Sequence, residues 1–237
     1  MKTVIHKAES RGTASFGWLL SKHSFSFGHY FDPERVQFGA LRVLNDDIVE
    51  PGMGFGTHPH DNMEIVSIPL TGDLEHKDST GKTEVIKSGD VQIMSAGSGL
   101  THSEYNHSDK EKVNFLQIWV LPKEKDIPPR YGQKTYHAND RINTLQNVVA
   151  PDNPEALWIN QDSWFYLSDM EKDHSITYEL KNKYNGVYVF VLEGGIKIEK
   201  HHLNRRDAIG IYATDDFKVE AGDNSQLLLI EVPMRVN

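Results

Sequence analysis

Gly56–Gly72 reads GTHPHDNMEIVSIPLTG, and in it His58 and His60 stand two residues apart just before the apolar, strand-like run Glu64–Leu70. Downstream, Gly97–Asn106 (GSGLTHSEYN) repeats that spacing with His102 and Glu104. In an extended chain residues i and i+2 point to the same side. Two such strands brought face to face would aim three imidazoles and one carboxylate at a common point, the outline of a metal site built on β-structure.

The sequence around this pair keeps to the same kind of structure. Thr71-Gly72-Asp73, Ser79–Lys82 and Ser88-Gly89-Asp90 are turn signals at regular intervals, each offering glycine where a positive φ is needed. The short runs between them predict an all-β barrel or sandwich. Val113–Leu121 (VNFLQIWVL) is apolar on both alternating faces, as expected of a strand buried between two layers. Thr3–Ala8 reads as a short strand, and the aromatic-rich segment that follows it reads as loop and short edge strands. No amphipathic helix of three turns is evident.

Pro122–Asn143 breaks the pattern with a charge run and the Pro128-Pro129 pair, which cannot continue a sheet ladder, so it reads as an interdomain connection. Short strands resume beyond it, and the halves repeat faintly. Leu70-Thr71-Gly72-Asp73-Leu74 is matched by Leu192-Glu193-Gly194-Gly195-Ile196, and Gly89-Asp90-Val91 by Arg206-Asp207-Ala208. The repeat predicts two similar barrels. Gapless alignment on these landmarks puts Leu180 and Asn182 opposite His58 and His60, and Val219 and Ala221 opposite His102 and Glu104. The second barrel is therefore expected to hold no metal.

With 237 residues the chain can bury a sizeable core, as one large β domain or two ordinary ones. Its 25 Lys and Arg against 34 Asp and Glu give a formal charge of -9, which disfavours direct nucleic-acid binding. The absence of cysteine leaves any metal to histidine and carboxylate, donors suited to first-row divalent ions. The start lacks the apolar core of about 7–15 residues that a secretory signal needs, and no apolar run approaches the roughly 20 residues of a membrane span. The expected location is the cytoplasm, with no membrane association.

At these residues the sequence resembles the cupin superfamily. Gly52, His58, His60, Glu64 and Gly72 follow the first cupin motif, and Gly89, His102 and Asn106 follow the second with two extra residues between Gly89 and His102. That longer spacing, with His58-Pro59-His60, Gly89-Asp90-Val91-Gln92-Ile93-Met94 and His102-x-Glu104, is similar to the pirin family. RGTASFGWL, HSFSFGHYFDP, ALRVLNDD and GFGTHPH extend the likeness through most of the first half to bacterial pirin-like proteins, including those with quercetin 2,3-dioxygenase activity. The second half matches more in arrangement than in residues.

The resemblance implies a bicupin, all-β, with two double-stranded β-helix (jelly-roll) barrels in tandem: residues 1–132 carrying the metal and 133–237 without metal ligands. It implies His58, His60, His102 and Glu104 as ligands, with Glu64, the general cupin carboxylate, left out. Counting by twos from His60 would place Glu64 on the ligand face of an unbroken strand, so a bulge or a longer reach must exclude it. The metal would be Fe(II), with Cu, Zn, Mn, Co or Ni compatible. The implied reaction opens the flavonol ring of quercetin-type substrates with O2. Glu104 takes the 3-hydroxyl proton as general base, CO leaves and a depside remains. Two alternatives stand beside it: a non-catalytic regulator of transcription factors or metabolic enzymes with the metal as redox sensor, and a metal that only staples the barrel.

Among the remaining candidates, His23 and His29 read as solvated loop side chains, with the mouth of a pocket as the alternative. Phe25, Phe27 and Phe55 read as core, with contact to a flat aromatic substrate as the alternative. His76, His107, His137 and His174 receive no role, and adjacent His201-His202 would point to opposite faces of a strand.

Overall fold

Gly72 and Gly194, the landmarks of the internal repeat, take φ of 75° and 79°. A Cβ at Gly72 would lie 2.9 Å from the Lys112 carbonyl oxygen, and one at Gly194 would lie 2.3 Å from that of Asn224. Only glycine fits both the backbone conformation and the space. Each marks the same corner of one of two barrels, where a strand leaves a large sheet for a small one.

The structure is a computed structural model and describes residues 1–236. The chain forms two pairs of sheets, each pair made of a seven-stranded and a four-stranded sheet, antiparallel throughout except for the parallel pairing of Gln146–Ala150 with Leu157–Trp158. In the first barrel the large sheet runs Arg130–Thr135, Asp90–Ser95, Glu64–Thr71, Val113–Val120, Leu41–Val49, Leu19–His23 and Gly12–Ser15. Its small sheet runs Gly54–His60, Leu100–Asn106, Leu74–Asp78 and Thr83–Ile86. The second barrel repeats this plan, with Asn185–Glu193 and Ser225–Pro233 at the centre of its large sheet. The fold is the expected tandem bicupin. Among the described residues no helix is long and apolar enough to cross a membrane.

The two large sheets pack against each other. Leu44, Val66, Ile93, Leu116 and Ile118 from the first meet Phe165, Leu167, Phe190, Leu228 and Ile230 from the second in one cluster of buried side chains. Val113–Val120 thus has one face in this inter-barrel layer and the other, through Phe115, in the first barrel, which accounts for its two apolar faces.

Two strands lie where the sequence did not place them. Lys2–His6 pairs with Ala208–Tyr212, so the chain begins on the edge of the second barrel's sheet before entering the first. Arg130–Thr135 lies inside the stretch read as a connection and pairs with Asp90–Ser95, spanning the expected 132/133 division. Pro128-Pro129 ends the preceding loop instead of barring a strand after it, which is where a pair without N–H donors is tolerated.

The register also corrects the alignment of the halves. Leu74, two residues past Gly72, pairs with Asn106, whereas Ile196, two past Gly194, pairs with Ala221. His102 is therefore equivalent to Phe217 and Glu104 to Val219. His58 pairs with His102 as Tyr178 pairs with Phe217, so Tyr178 and Leu180 replace His58 and His60. The gapless alignment was off by two at both pairs, because the path from Asp90 to His102 is two residues longer than that from Asp207 to Phe217, and the path from His58 to Gly72 two shorter than that from Tyr178 to Gly194. The corresponding positions carry apolar or aromatic side chains of the second barrel's core.

Candidate metal centre

Gly54–His60 and Leu100–Asn106 are hydrogen-bonded neighbours in the small sheet, with His102 opposite His58 and Leu100 opposite His60. The histidines thus converge from adjacent strands of one sheet and not from strands facing each other. One coordinating nitrogen from each of His58, His60 and His102 lies within 4.8 Å of the others. His58 Nε2 and His102 Nε2 are 3.0 Å apart. Two donors each about 2.1 Å from one ion, at right angles, stand about that far apart.

Each of these two rings is oriented from behind. His58 Nδ1 donates to the Gly56 carbonyl oxygen at 2.8 Å, which leaves Nε2 with its lone pair toward the cluster. Behind His102, Asp78 Oδ2 accepts from His76 Nε2 at 3.0 Å, so His76 Nδ1 is bare and accepts from His102 Nδ1 at 3.5 Å, the outer limit of such a bond. His76 is fully buried and, contrary to the sequence reading, belongs to the site. The signal was available: His76-x-Asp78 repeats the two-residue spacing of the other pairs, on the strand beside His102.

Glu104 projects into the barrel from the same strand as His102, with a register irregularity between them. It is 1% exposed, accepting from Ser67 Oγ at 3.1 Å and Gln117 Nε2 at 2.5 Å. Its carboxylate lies within 4.8 Å of coordinating nitrogens of His76 and His102, so His102 is shared between this group and the three-histidine cluster. Burial raises its pKa to about 7 against the lowering pull of those two hydrogen bonds. Burial first, and neighbouring histidines second, lower His102 to about 2 and His60 to about 4.

Glu64 is elsewhere. A turn at Asp61–Met63, with Asn62 at φ 45°, carries the chain from the small sheet to the large one, so His60 and Glu64 are not on one strand and no bulge is involved. Glu64 Oε2 accepts from Ser95 Oγ at 2.7 Å and from the backbone N–H of Asn160, in the second half of the chain, at 3.1 Å.

A cavity of about 260 Å³ opens beside the cluster, bounded by His58, His60, Phe27, Phe55, Trp119, His23 and Asp47 among others. His29 also lines it while exposed on a turn, in keeping with the sequence reading, whereas His23 is buried and it, Phe27 and Phe55 face the cavity, against that reading. Phe25 alone is core, 1% exposed between the two large sheets. The larger cleft of about 510 Å³ lies between the barrels, away from the histidines.

Comparison with known proteins agrees with this geometry. The pirin family model matches residues 4–120, and the quercetinase C-terminal cupin domain model matches 147–232. A quercetin 2,3-dioxygenase of Escherichia coli K12 is 40% identical over 97% of this chain and 98% of its own length. The chain belongs to the pirin family. A pirin-like protein of Caulobacter vibrioides is 36% identical over 93% of this chain and 95% of its own. A bacterial pirin from Escherichia coli, solved in complex with nickel(II), superposes with a TM-score of 0.93 at 38% identity, covering 99% of this chain and 100% of that one.

The donors of this pirin suit a divalent cation. The imidazoles of His60 and His102, held neutral near pH 7, present lone pairs, and a buried carboxylate that meets only neutral donors gains from a nearby positive charge. Cysteine is absent, so hard-to-borderline first-row ions fit better than ions that prefer thiolate.

Proposed function

We propose that this pirin is a metal-dependent dioxygenase that opens the flavonol ring of quercetin-type substrates in the cytoplasm, consuming one O2 and releasing one CO per depside formed. The observation that carries the reading is the cavity: a metal that only stapled the barrel would need no ligand-sized, aromatic-walled space against its histidines. His58, His60, His102 and Glu104 hold the ion, Fe(II) in this reading. Once bound, it supplies Lewis acidity and redox capacity toward dioxygen.

The chain's own residues do the rest. Phe27, Phe55 and Trp119 form apolar walls that favour a flat ring and keep water from it. Glu104 takes the proton of the flavonol 3-hydroxyl. Ser67 and Gln117 hold the carboxylate in place for that transfer.

The test is oxygen uptake and CO release by anaerobically reconstituted Fe(II) protein with quercetin. The expected result is one CO per O2, and a kcat at least about a hundredfold lower, compared at equal metal content, for Glu104→Gln, which keeps one acceptor in place but loses the base. No turnover with any first-row divalent metal would overturn the reading and leave the regulatory role, to be sought as a partner whose binding depends on metal oxidation state.

A further inference from the structure

The interior of the first barrel is crossed by a row of polar side chains. Strand register aligns His23, Asn45, Gln117, Ser67, Gln92 and Gln133 side by side across six strands of the large sheet. Neighbours in one register row share a face, and here that face is the one Glu104 meets. Ser67 and Gln117, in the middle of the row, are accounted for by their bonds to Glu104. His23 and Asn45, at one end, are not, and neither is Gln92, but of these three only His23 and Asn45 line the cavity beside the histidines.

His23 is 3% exposed and Asn45 is 1% exposed, yet His23 Nδ1 and Asn45 Oδ1 have no hydrogen-bond partner in the protein. Both side chains line the cavity that holds His58 and His60. The next cross-strand pair on the same face shows what a completed pair looks like, since Ser21 Oγ donates to Asp47 Oδ1. A buried amide and imidazole without partners cost stability and are retained where something else satisfies them.

The walls give the direction. His60 packs on Trp119 with ring centroids 4.9 Å apart, Trp119 on Phe27 at 5.3 Å, and Phe27 on His23 at 5.2 Å. A flat ligand lying along the Trp119–Phe27 wall has one end at the histidine cluster and the other at His23 and Asn45. At that far end a phenolic hydroxyl, which donates one hydrogen bond and accepts two, complements an amide and an imidazole that each offer a donor and an acceptor.

We propose that His23 and Asn45 are specificity-determining residues that hydrogen-bond a phenolic hydroxyl on the part of a flavonol-class ligand farthest from the histidine cluster. The site therefore selects polyhydroxylated flavonols over those that carry only the 3-hydroxyl. This rests on the flavonol reading above.

The test is equilibrium binding to Zn(II)-loaded protein, where no turnover intervenes, comparing quercetin with 3-hydroxyflavone. The expected result is that wild type binds quercetin at least about tenfold tighter, because the unsubstituted ring leaves buried polar groups unpaired. In His23→Phe and Asn45→Ala the preference should fall to about twofold or less, with 3-hydroxyflavone bound at least as well as by wild type, while His23→Gln and Asn45→Ser should restore part of it. Zinc stoichiometry and melting temperature identify any variant that fails to fold, and the conservative pair then carries the comparison. Equal affinity of wild type for both flavonols, or an undiminished preference in folded variants, overturns the proposal and leaves the flavonol reading standing. Binding of neither flavonol overturns both.

Discussion

His102 is the residue on which the candidate centre turns, because its two ring nitrogens face different groups. Nε2 faces His58 at 3.0 Å, and Nδ1 faces His76, which Asp78 holds in turn. Partners of this kind fix the tautomer and raise the basicity of a ligand, and losing one typically lowers metal affinity about 10–100-fold. His76→Phe and Asp78→Asn are expected to weaken Ni(II) binding by that factor in a competition titration against a chelating dye, with His102→Ala losing it altogether. Unchanged affinity in both outer variants would mean the Asp78–His76–His102 chain serves packing alone. The ligand candidates were legible because a period of two is visible in sequence. His76-x-Asp78 carries the same period, but only the pairing of its strand with that of His102 shows what it serves. Glu64 misled for the opposite reason: counting by twos holds only within a strand, and the turn at Asn62 ends that strand.

At the scale of elements, the strands were legible from their turns, but their partners were not. Nothing in Thr3–Ala8 says that it belongs to a sheet formed some two hundred residues later. The observed strand, Lys2–His6, pairs along its whole length with Ala208–Tyr212, and His6 Nδ1 meets Tyr188 Oη at 2.8 Å. Just beyond it, Asp207 accepts from Lys7 Nζ at 2.7 Å and from the Ala8 backbone N–H at 2.8 Å. Deleting residues 2–6 uncovers the edge of the second sheet and removes the buried His6–Tyr188 contact. A loss of roughly 2–3 kcal/mol, at about 2–4 °C per kcal/mol for a chain of this size, gives an expected fall in melting temperature on the order of 5–10 °C. Metal stoichiometry should be unchanged, since no ligand strand is touched. A melting temperature equal to wild type would show that the edge strand contributes nothing to stability.

The molecule as a whole is two barrels of one plan with different fillings. The second holds one large apolar cluster, with Glu231 buried against Tyr178 and Asn185, whereas the first holds two small apolar clusters and the polar row that meets Glu104. One barrel therefore supplies packing, and the other gives up part of its apolar core to a site. Glu64, on the first barrel, accepts from Asn160 in the second half of the chain, and its Oε1 has no partner. Burial raises its pKa from 4.5 to about 7, with the bonds from Ser95 and Asn160 pulling it back down. Because the folded value lies above the unfolded one, the folded state holds the extra proton between these limits, and stability falls as pH rises from 4.5 to about 7. Above that window the full penalty applies; below it the carboxyl is neutral in both states and the penalty vanishes. Glu64→Gln keeps an acceptor for Ser95 and Asn160 and removes the charge. Urea unfolding should find the variant more stable than wild type by about 1–3 kcal/mol at pH 8, with the gap closing toward pH 4.5. Asp47 and Glu104, whose pKa values burial also raises, are common to both proteins and cancel in the difference. A difference that stays constant with pH would assign the effect to packing at the junction of the barrels and remove ionisation of Glu64 as its cause.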